Sequence, residues 1–424
     1  MSEELGGRRV GILHGKHVTL GVTGSIAAYK AVGLASALHQ AGAVVDVAMT
    51  PDAQRFLQPL SFQAITHRPV FADLWAPGIE TDIAHVTLGQ RSQVIVIAPA
   101  TANILAKLAH GLADDPVSVT ALAARCPIIV APAMDAGMFS HPATVSNVEL
   151  LKARGVVVVE PESGHLASGL LGLGRLAAPE TILDFVRATL GAGGDLAGRR
   201  VLVTAGGTRE PIDPVRFIGN HSSGKMGYAI AEAARDRGAR VLLVSAPTAI
   251  RAPAGLRVVQ VNSAQEMLSV LHGEYSSHDA LIMAAAVADF NVGPPADHKI
   301  KRGEHELELR LLPNPDLLAA TALLEIANKH PIRVGFAAET QDMIEHAADK
   351  LERKSLDLIV ANDVLSDVFG ADTNEVTLVW SDGRRVELPR MPKPAVAEHV
   401  LDAVAALLAA RARTTLSTAK QQQR

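Results

Sequence analysis

Cysteine and long apolar segments are nearly missing from this sequence of 424 residues. Cys126 is the only cysteine, which excludes an intrachain disulfide and a cysteine-rich zinc site and predicts a reducing, cytoplasmic environment. The chain has no stretch of about eighteen uninterrupted apolar residues, and residues 1–16 carry charges instead of the apolar core of a signal peptide. We therefore expect no membrane role.

An excess of basic charge is also missing. Forty lysine and arginine residues are balanced by forty-four aspartate and glutamate residues, which gives a formal net charge of -4. Aromatic residues amount to only 3%, and they flank no basic cluster, so the features of a nucleic-acid-binding surface are absent from the sequence. Nucleic acid is therefore not expected as a partner.

Apolar residues make up 48% of the chain, enough for two sizeable cores. Short Val/Ile/Leu runs alternate with Gly-, Thr- or Pro-containing turns and Ala/Leu-rich helical stretches, a rhythm typical of parallel βαβ units. The predicted strands begin at Val18, Val44, Val94, Ile128 and Val156, and in a second series at Val201, Val241, Val258, Leu281, Val334 and Leu358. The sequence thus predicts an α/β protein with two Rossmann-like, doubly wound parallel-sheet domains.

The glycine-rich stretch Gly191–Gly194 separates the two series, so we place the domains at residues 1–190 and 191–424. Near the end, residues 375–380 and 385–388 flank an Asp-Gly turn and predict a hairpin followed by a helix. From about Arg413 onward the sequence is polar and aperiodic, which predicts a frayed tail.

The first strand runs directly into a glycine turn, Gly21-Val-Thr-Gly24-Ser25, that opens a helix. Backbone amides and the Ser25 hydroxyl could hold a phosphate at the positive end of that helix. The spacing is not GxGxxG, and the next strand ends at Thr50 without an acid, so a mononucleotide such as FMN fits better than a dinucleotide. The alternative is a glycine turn that only connects strand to helix.

Two further strand ends of this half carry small and polar residues, in the segments 98–103 and 131–138. Ligands of α/β sheets bind at this carboxyl edge, so the two segments are candidate binding loops. His85 lies in Asp82-Ile-Ala-His-Val-Thr-Leu88, and a lone histidine of this kind is more often structural than catalytic.

The second half contains a stretch that imitates a P-loop. Residues 219–225 have the P-loop spacing up to Lys225, but Met226 follows and has no hydroxyl for Mg²⁺. The stretch also begins well after the strand at Val201, so a P-loop NTPase is not predicted.

Several motifs in the same order carry a resemblance that covers nearly the whole chain. The first half resembles the flavin-dependent cysteine decarboxylases through residues 21–30, 85–88, 98–107, 111–115, 132–134 and 164–175. The second half resembles the phosphopantothenate–cysteine ligases through the signature at residues 206–227. The whole chain therefore resembles the bifunctional phosphopantothenoylcysteine decarboxylase/phosphopantothenate–cysteine ligases of coenzyme A synthesis.

The resemblance implies a flavodoxin-like first half in which His85, Asp135 and Ser168 are the catalytic positions. It implies FMN contacts at Gly24, Ser25, Thr50, Ala100, Thr101 and Asn103. In the family the histidine works beside the flavin while the substrate thiol is oxidised and its carboxylate leaves as CO₂, and the enethiol is then reduced. Two positions depart from the pattern, because Asp135 replaces the usual Asn and Ser168 replaces the usual Cys. This half is therefore either a variant decarboxylase or an FMN-binding domain without complete activity.

For the second half, the resemblance assigns Asn220 to the acyl-nucleotide intermediate and Ser222, Ser223 and Gly224 to substrate binding. It assigns CTP binding to Ala285, Asp289, Lys299, Pro315, Asp316, Leu317, Leu318, Phe336, Lys350 and Lys354. Because a carboxylate must attack the α-phosphate of CTP, lysines and Mg²⁺ must screen the repulsion between two anions. Lys299 is the first choice for this role, and the metal ligands stay unassigned.

The implied reaction converts 4'-phosphopantothenate, cysteine and CTP into 4'-phosphopantetheine. The resemblance also implies a homo-oligomer with trimers of the flavin half and dimers of the ligase half, up to a dodecamer. The alternatives are ligase activity alone, a binding or regulatory protein with two relic sites, and a nicotinamide dehydrogenase.

Overall fold

The computed structural model describes residues 11–75, 84–302, 307–324, 330–339, 349–363 and 370–422. The chain divides into two compact units, Met1–Gly191 and Ala192–Arg424. Each unit is built around one largely parallel sheet with helices on both faces, which confirms the predicted α/β class with two doubly wound sheets.

The first unit contains a six-stranded parallel sheet in the order β3-β2-β1-β4-β5-β6. Its strands are β1 (His17–Val22), β2 (Val44–Met49), β3 (Val70–Phe71), β4 (Val94–Ala100), β5 (Ile128–Pro132) and β6 (Val157–Val158). The strand order reverses between β1 and β4, and ligands of such sheets bind at this point. Without the two-residue β3 the order is that of a flavodoxin-like sheet.

The helices of the first unit flank this sheet. They are α1 (Tyr29–Gln40), α2 (Leu60–Thr66), α3 (Ala84–Arg91), α4 (Ala102–His110), α5 (Pro116–Ala123), α6 (Ala136–Phe139), α7 (Pro142–Ala153) and α8 (Pro179–Gly191). A separate antiparallel hairpin, β7 (Glu162–His165) with β8 (Leu171–Arg175), lies between β6 and α8 in the chain.

The apolar runs of the strands reflect burial on both faces of the sheet. In β4, Val94 and Val96 pack into the core on one face, whereas Ile95 and Ile97 pack into the core on the other. Successive side chains of a strand point to opposite faces, so a strand covered on both sides must be apolar throughout. For this reason β4 is predictable from the sequence.

The second unit contains an eight-stranded sheet in the order β13-β12-β9-β14-β17-β18-β19-β20. Its strands are β9 (Arg200–Ala205), β12 (Arg240–Ser245), β13 (Arg257–Gln260), β14 (Ala280–Met283), β17 (Ile332–Glu339), β18 (Leu358–Asp363), β19 (Thr373–Trp380) and β20 (Arg385–Pro392). The pairs from β13 to β18 are parallel, and β19 and β20 form the predicted antiparallel hairpin at the edge. Two ribbons accompany it, β10 (Arg209–Pro211) with β11 (Phe217–Gly219) and β15 (Phe290–Asn291) with β16 (Leu312–Pro313).

The helices of the second unit are α9 (Lys225–Asp236), α10 (Ala264–Glu274), α11 (Leu317–Ala322), α12 (described from 349 to 353) and α13 (Lys393–Gln422). The expectation of a frayed tail from Arg413 is wrong, because α13 continues to Gln422. Residues 413–422 contain no glycine or proline and include alanine, leucine, lysine and glutamine, which favour helix without an apolar stripe.

Candidate functional site

The carboxyl ends of three strands meet in the first unit. The Thr23 hydroxyl donates to the Pro99 carbonyl at 2.7 Å and accepts from the Thr101 amide at 3.2 Å, so the end of β1 is joined to the end of β4. The Thr50 amide donates to the Val22 carbonyl at 3.1 Å, which brings the end of β2 to the same place. These contacts form one edge at the strand-order reversal.

The turn after β1 requires glycine because of a close backbone approach. A Cβ atom on Gly24 would lie 2.4 Å from the Cβ of Asp52, far inside van der Waals contact. The next residue, Ser25, caps the following helical turn, since its Oγ accepts from the Ala27 amide at 3.2 Å. The turn is therefore held tightly against the loop that follows β2.

Helix α4 begins at the same edge. Thr101 is its N-cap and accepts from the Ile104 amide at 3.3 Å, while Ala100 is buried and Asn103 is exposed. The positive end of a nine-residue helix and the small-residue turn at Gly24 together suit an anionic mononucleotide. The residues predicted to contact the flavin fit the phosphate of such a mononucleotide. All of them except the exposed Asn103 are held by the contacts or the burial described above.

A cavity of about 360 Å³ lies beside this edge. Its wall comes from the start of α1, the loop after β5 and the β7–β8 hairpin, and its charged and polar lining residues include Ser25, Lys30, Asp135, His165, Ser168 and Arg175. Two of the three catalytic residues predicted for this half, Asp135 and Ser168, therefore lie together. His85 is a half-buried residue of α3 and is not among the lining residues of this cavity in the described chain.

Asp135 and Ser168 contact each other across the cavity wall. The Ser168 Oγ donates to Oδ2 of Asp135 at 2.7 Å, and the Gly137 amide donates to Oδ1 at 3.0 Å. These hydrogen bonds, that from Ser168 foremost, lower the pKa of the Asp135 carboxyl below its ordinary value. The carboxylate is therefore ionised at neutral pH, so it does not itself carry a proton.

Two cationic side chains lie in the same cavity wall. Lys30 Nζ donates to the Leu176 carbonyl at 3.2 Å, which fixes its ammonium beside the hairpin. Arg175 lies across the hairpin at Gly164, where a Cβ atom would come within 2.6 Å of its Nη1. The sequence analysis assigned neither residue to the site, although both end motifs that carried the resemblance.

In the second unit, the loop after β9 is hydrogen-bonded to the loop after β14. The Ala286 amide donates to the Gly206 carbonyl at 2.8 Å, and the Thr208 amide donates to the Ala286 carbonyl at 3.2 Å. The Thr208 hydroxyl accepts from the Ala288 amide at 2.9 Å. The predicted nucleotide-binding stretch, which includes Ala285, is thus fixed against the ligase signature.

Asn220 extends this junction. Its Nδ2 donates to the Val287 carbonyl at 3.0 Å. The backbone of Asn220 lies close to Gly207, because a Cβ atom on Gly207 would be 2.7 Å from the Asn220 backbone carbonyl oxygen. Ser222 Oγ accepts from the Gly224 amide at 3.3 Å just before α9 begins. Ser223 is half-buried beside it. The structure thus brings the predicted substrate loop onto the predicted nucleotide loop.

The loop that carries Lys299 is attached to the signature through its neighbour Ile300. The Ile300 amide donates to Oδ2 of Asp213 at 3.2 Å, and Arg216 Nη1 donates to the Ile300 carbonyl at 3.0 Å. Lys299 itself is exposed. Sequence reasoning missed Asp213 and Arg216, although two charged residues inside a glycine-rich signature were an available signal.

Burial alone would raise the pKa of the Asp213 carboxyl. The amides of Val215, Arg216 and Ile300 outweigh burial, so the pKa of Asp213 lies below its ordinary value. A buried carboxylate that accepts three amides is a fixed anchor for the lysine loop.

The remaining predicted CTP residues form a group around α11 and α12. Asp316 caps α11, whose first residues Leu317 and Leu318 are buried, and it forms a 2.9 Å ion pair with Lys354. Burial by itself would raise the pKa of Asp316. The hydrogen bond from Lys354 and those from two backbone amides outweigh burial, so the pKa lies below its ordinary value. Lys350 Nζ donates to the Phe336 carbonyl at 3.1 Å.

Asn314 joins Asp289 to this group. The Asn314 amide donates to the Asp289 carbonyl at 2.8 Å, and Asn314 Nδ2 donates to the Ala288 carbonyl at 2.8 Å. Asp289 has an exposed side chain, and Pro315 follows directly after Asn314. Asn314 was not predicted, because an isolated asparagine in a loop has no sequence signal of its own.

Lys225 does not take the position of a P-loop lysine. Its Nζ donates to the Gly370 carbonyl at 2.8 Å and to Asp372 Oδ1 at 2.7 Å, so it joins the start of α9 to the start of β19. The strand before α9 is β11 of the separate two-stranded ribbon and not a strand of the eight-stranded sheet. This arrangement agrees with the prediction against a P-loop NTPase.

Within the described residues there is no group of three or more His, Cys, Asp or Glu side chains that could hold a metal ion. Among the same residues, no helix combines the length and the apolar character needed to cross a membrane.

Comparisons with known proteins match both units. The flavoprotein family matches residues 10–191, and the DNA/pantothenate metabolism flavoprotein C-terminal domain matches residues 196–408. The chain is 45% identical over 401 residues to the coenzyme A biosynthesis bifunctional protein CoaBC of Bacillus subtilis, covering 93% of this chain and 98% of that protein. It is 45% identical over 409 residues to the CoaBC protein of Mycobacterium bovis, covering 93% and 97%.

Among solved structures, the C-terminal domain of a CoaBC protein is 41% identical and covers 51% of this chain and 98% of that chain, with a TM-score of 0.44.

Fold, site and family models together define a two-domain α/β enzyme in which a flavoprotein domain precedes a pantothenate-metabolism domain. The chain belongs to the family of the coenzyme A biosynthesis bifunctional proteins. It is a bifunctional phosphopantothenate–cysteine ligase and phosphopantothenoylcysteine decarboxylase. The resemblance read from the sequence motifs is therefore confirmed, and the dehydrogenase and relic alternatives are not needed.

Proposed function

We propose that residues 192–424 join cysteine to 4'-phosphopantothenate with CTP, and that residues 1–191 then decarboxylate the product to 4'-phosphopantetheine with FMN. The observation that carries the proposal is the 3.0 Å hydrogen bond from Asn220 to the Val287 carbonyl, which joins the ligase signature to the nucleotide loop. A carboxylate held at Asn220 and a nucleotide held at residues 285–289 would then be neighbours.

The ligation proceeds by two displacements. A carboxylate oxygen of 4'-phosphopantothenate forms a bond to the α-phosphorus of CTP while the bond to pyrophosphate breaks. The cysteine amine then attacks the acyl carbon, loses a proton, and CMP leaves. Asn220 holds the acyl-nucleotide, and Ser222, Ser223 and Gly224 bind the substrate at the start of α9, whose positive end favours an anion.

Lysines screen the electrostatic repulsion between the substrate carboxylate and the CTP phosphates. Lys299 stabilises the transferring phosphate, and Lys350 and Lys354 bind the outer phosphates. In the structure Lys354 is paired with Asp316 and Lys350 with a carbonyl, so CTP phosphates would compete for cations that are already oriented. Mg²⁺ would bind chiefly through phosphate oxygens and water, a coordination that needs few protein ligands.

In the flavin half, the turn at Gly24 and Ser25, the end of β2 at Thr50 and the start of α4 at Thr101 would hold FMN. When bound, the flavin supplies the two-electron oxidation and reduction that decarboxylation requires. Ser168 and Asp135 close the substrate cavity from the hairpin and from the loop after β5. Because Asp135 is ionised, recognition of the substrate's anionic groups falls to Lys30 and Arg175 in the same wall.

The second candidate is a ligase whose flavin half lacks complete decarboxylase activity. The observation that favours it is the ionised Asp135, which repels a substrate carboxylate where the family's amide would donate a hydrogen bond. His85 stays a predicted catalytic residue.

The oligomer and the location are further parts of the proposal. We propose trimers of the flavin half and dimers of the ligase half, with a dodecamer as the complete assembly, and a cytoplasmic location. Light scattering on the full chain tests the assembly, and a monomer would contradict it.

The test of function is mass spectrometry of the small molecules formed from 4'-phosphopantothenate, cysteine, CTP and Mg²⁺ by the purified chain. Accumulation of 4'-phosphopantetheine supports both halves of the proposal. Accumulation of phosphopantothenoylcysteine or of an oxidised enethiol supports the ligase activity and shows that the flavin half does not complete the decarboxylation reaction. No CTP-dependent product would contradict the proposal for this chain.

A further inference from the structure

Arg333 is a buried arginine of β17 that no motif of the family resemblance includes. The residue is 5% exposed, and burial lowers the pKa of its guanidinium. Its side-chain hydrogen bonds go to oxygens of α11 and of the turn that ends α12, and its Nε has no hydrogen-bond partner. A buried cation costs free energy unless its environment compensates, so these particular contacts need an explanation.

The first set of contacts is at the C-terminal end of α12. Arg333 Nη1 donates to the Lys354 carbonyl at 2.7 Å and to the Ser355 carbonyl at 3.0 Å. The last carbonyls of a helix have no partner within the helix and carry its negative partial charge, so a guanidinium is favoured there. Arg333 therefore fixes the backbone of Lys354 itself.

The second set is at α11. Arg333 Nη2 donates to the Leu318 carbonyl, and to the Thr321 hydroxyl at 3.3 Å. Leu318 is the second residue of the helix that Asp316 caps. The two nitrogens of one rigid guanidinium thus connect the backbones that carry Lys354 and Asp316, the two side chains of the 2.9 Å ion pair.

We propose that Arg333 is a positioning residue of the nucleotide site, which sets the spacing between the N-cap of α11 at Asp316 and the ammonium of Lys354 directly after α12. The inference rests on the proposed assignment of both elements to CTP. Arg333 would touch no substrate, because Nη1 and Nη2 donate within the protein and Nε is buried away from solvent. Lysine cannot replace it fully, since a single ammonium lacks the planar fork that reaches two helices at once.

The experiment compares Arg333→Met and Arg333→Lys with Arg235→Lys in the full-length chain. Arg235, near the end of α9, is a matched control because it is also a buried arginine of the second unit, 3% exposed. Its side chain donates to Asp236 and to the Ala254 carbonyl. The measured quantities are kcat, KM for CTP and KM for 4'-phosphopantothenate, with pyrophosphate release as the signal.

For Arg333→Met we expect KM for CTP to rise about tenfold or more, because charged hydrogen bonds that hold both helices are lost. KM for 4'-phosphopantothenate should stay within about twofold of the wild type, and Arg333→Lys should give an intermediate KM for CTP. Arg235→Lys should lower the melting temperature without changing either KM.

Several outcomes would overturn the inference. One is a KM for CTP within about twofold of the wild type in both Arg333 variants. Another is a parallel rise of both KM values, which a general loss of packing would produce. If Arg333→Met does not fold, the Arg333→Lys variant decides through the same KM comparison and through the rise in melting temperature that CTP causes. A wild-type chain that releases no pyrophosphate from CTP would instead contradict the proposed function.

Discussion

The Ser168 hydroxyl donates a 2.7 Å hydrogen bond to the carboxylate of Asp135, and these are the two positions at which the flavin half departs from its family's motifs. The two departures therefore form one structural unit. The serine stabilises the charge of the aspartate, and the aspartate orients the serine at the cavity.

Asp135→Asn should lower KM for phosphopantothenoylcysteine. Removing a like charge at about 4 Å gains about 1 kcal/mol in a water-like environment, which is about fivefold in affinity. The measurement is decarboxylation kinetics with the isolated substrate. Ser168→Ala is the matched control, because it removes the hydrogen bond but keeps the carboxylate, so KM should not fall. An unchanged KM in Asp135→Asn would show that the substrate carboxylate binds elsewhere.

The pH dependence of the same KM follows from the lowered pKa of Asp135. Its carboxyl stays ionised above its ordinary value of 3.8 and is protonated only at still lower pH. Between about pH 5 and pH 8 we therefore expect no step in KM from this group, and the profiles of wild type and Asp135→Asn should run parallel. A step present only in the wild type would contradict the assignment.

Gly24→Ala should reduce flavin binding. The added Cβ would lie 2.4 Å from the Cβ of Asp52, and such overpacking costs about 1–3 kcal/mol. The turn must then move away from the loop after β2. The measurement is the flavin absorbance per chain after purification. Gly33→Ala is the control, because its Cβ would meet nothing closer than 4.0 Å and should keep full flavin content. Equal flavin content in both variants would contradict the assignment of this turn to the flavin site.

The sheets could be predicted from the sequence, but the contacts between distant segments could not. A parallel strand buried on both faces must be an apolar run, so strands such as Val94–Ala100 are visible as local patterns. The β7–β8 hairpin is not, because β7 is polar and β8 alternates glycine with other residues, so neither strand is a continuous apolar run. The Asp135–Ser168 contact spans 33 residues and depends on how that hairpin folds back.

The predicted site residues differ in the same way. Motifs such as the one at Asn220 are contiguous and could be recognised, whereas the role of Arg333 depends on two helices that meet only in the folded unit. The helical end of the chain was missed because a polar segment without glycine or proline can continue a helix without any apolar period.

Cys126 should not take over the role of the cysteine that Ser168 replaces. Burial raises the pKa of its thiol above the ordinary value of 9.0, although two amides partly oppose this, so the thiol is neutral and weakly reactive at pH 7. We expect Cys126→Ala to form 4'-phosphopantetheine at a rate within about twofold of the wild type. Iodoacetamide should alkylate Cys126 more slowly than free cysteine. Loss of the reduced product in this variant, with flavin content unchanged, would contradict the expectation.

Asp213→Asn should release the loop that carries Lys299. An amide cannot accept the three backbone amides that the Asp213 carboxylate accepts, so the anchor at Ile300 is weakened. Trypsin should then cut after Lys299 or Lys301 several times faster, and the ligase rate should fall. Asp297→Asn is the control, since Asp297 is an exposed neighbour in the same loop region and its substitution should change neither.

The stability difference between wild type and Asp213→Asn should depend on pH in one direction. The pKa of Asp213 is lowered on folding, so its contribution is complete above the ordinary carboxyl value of 3.8 and is lost as the pH falls through the folded-state value. The melting-temperature difference should therefore be constant near neutral pH and shrink in acid. A difference that grows as the pH falls would mean that the Asp213 carboxyl is not held ionised by the amides of Val215, Arg216 and Ile300.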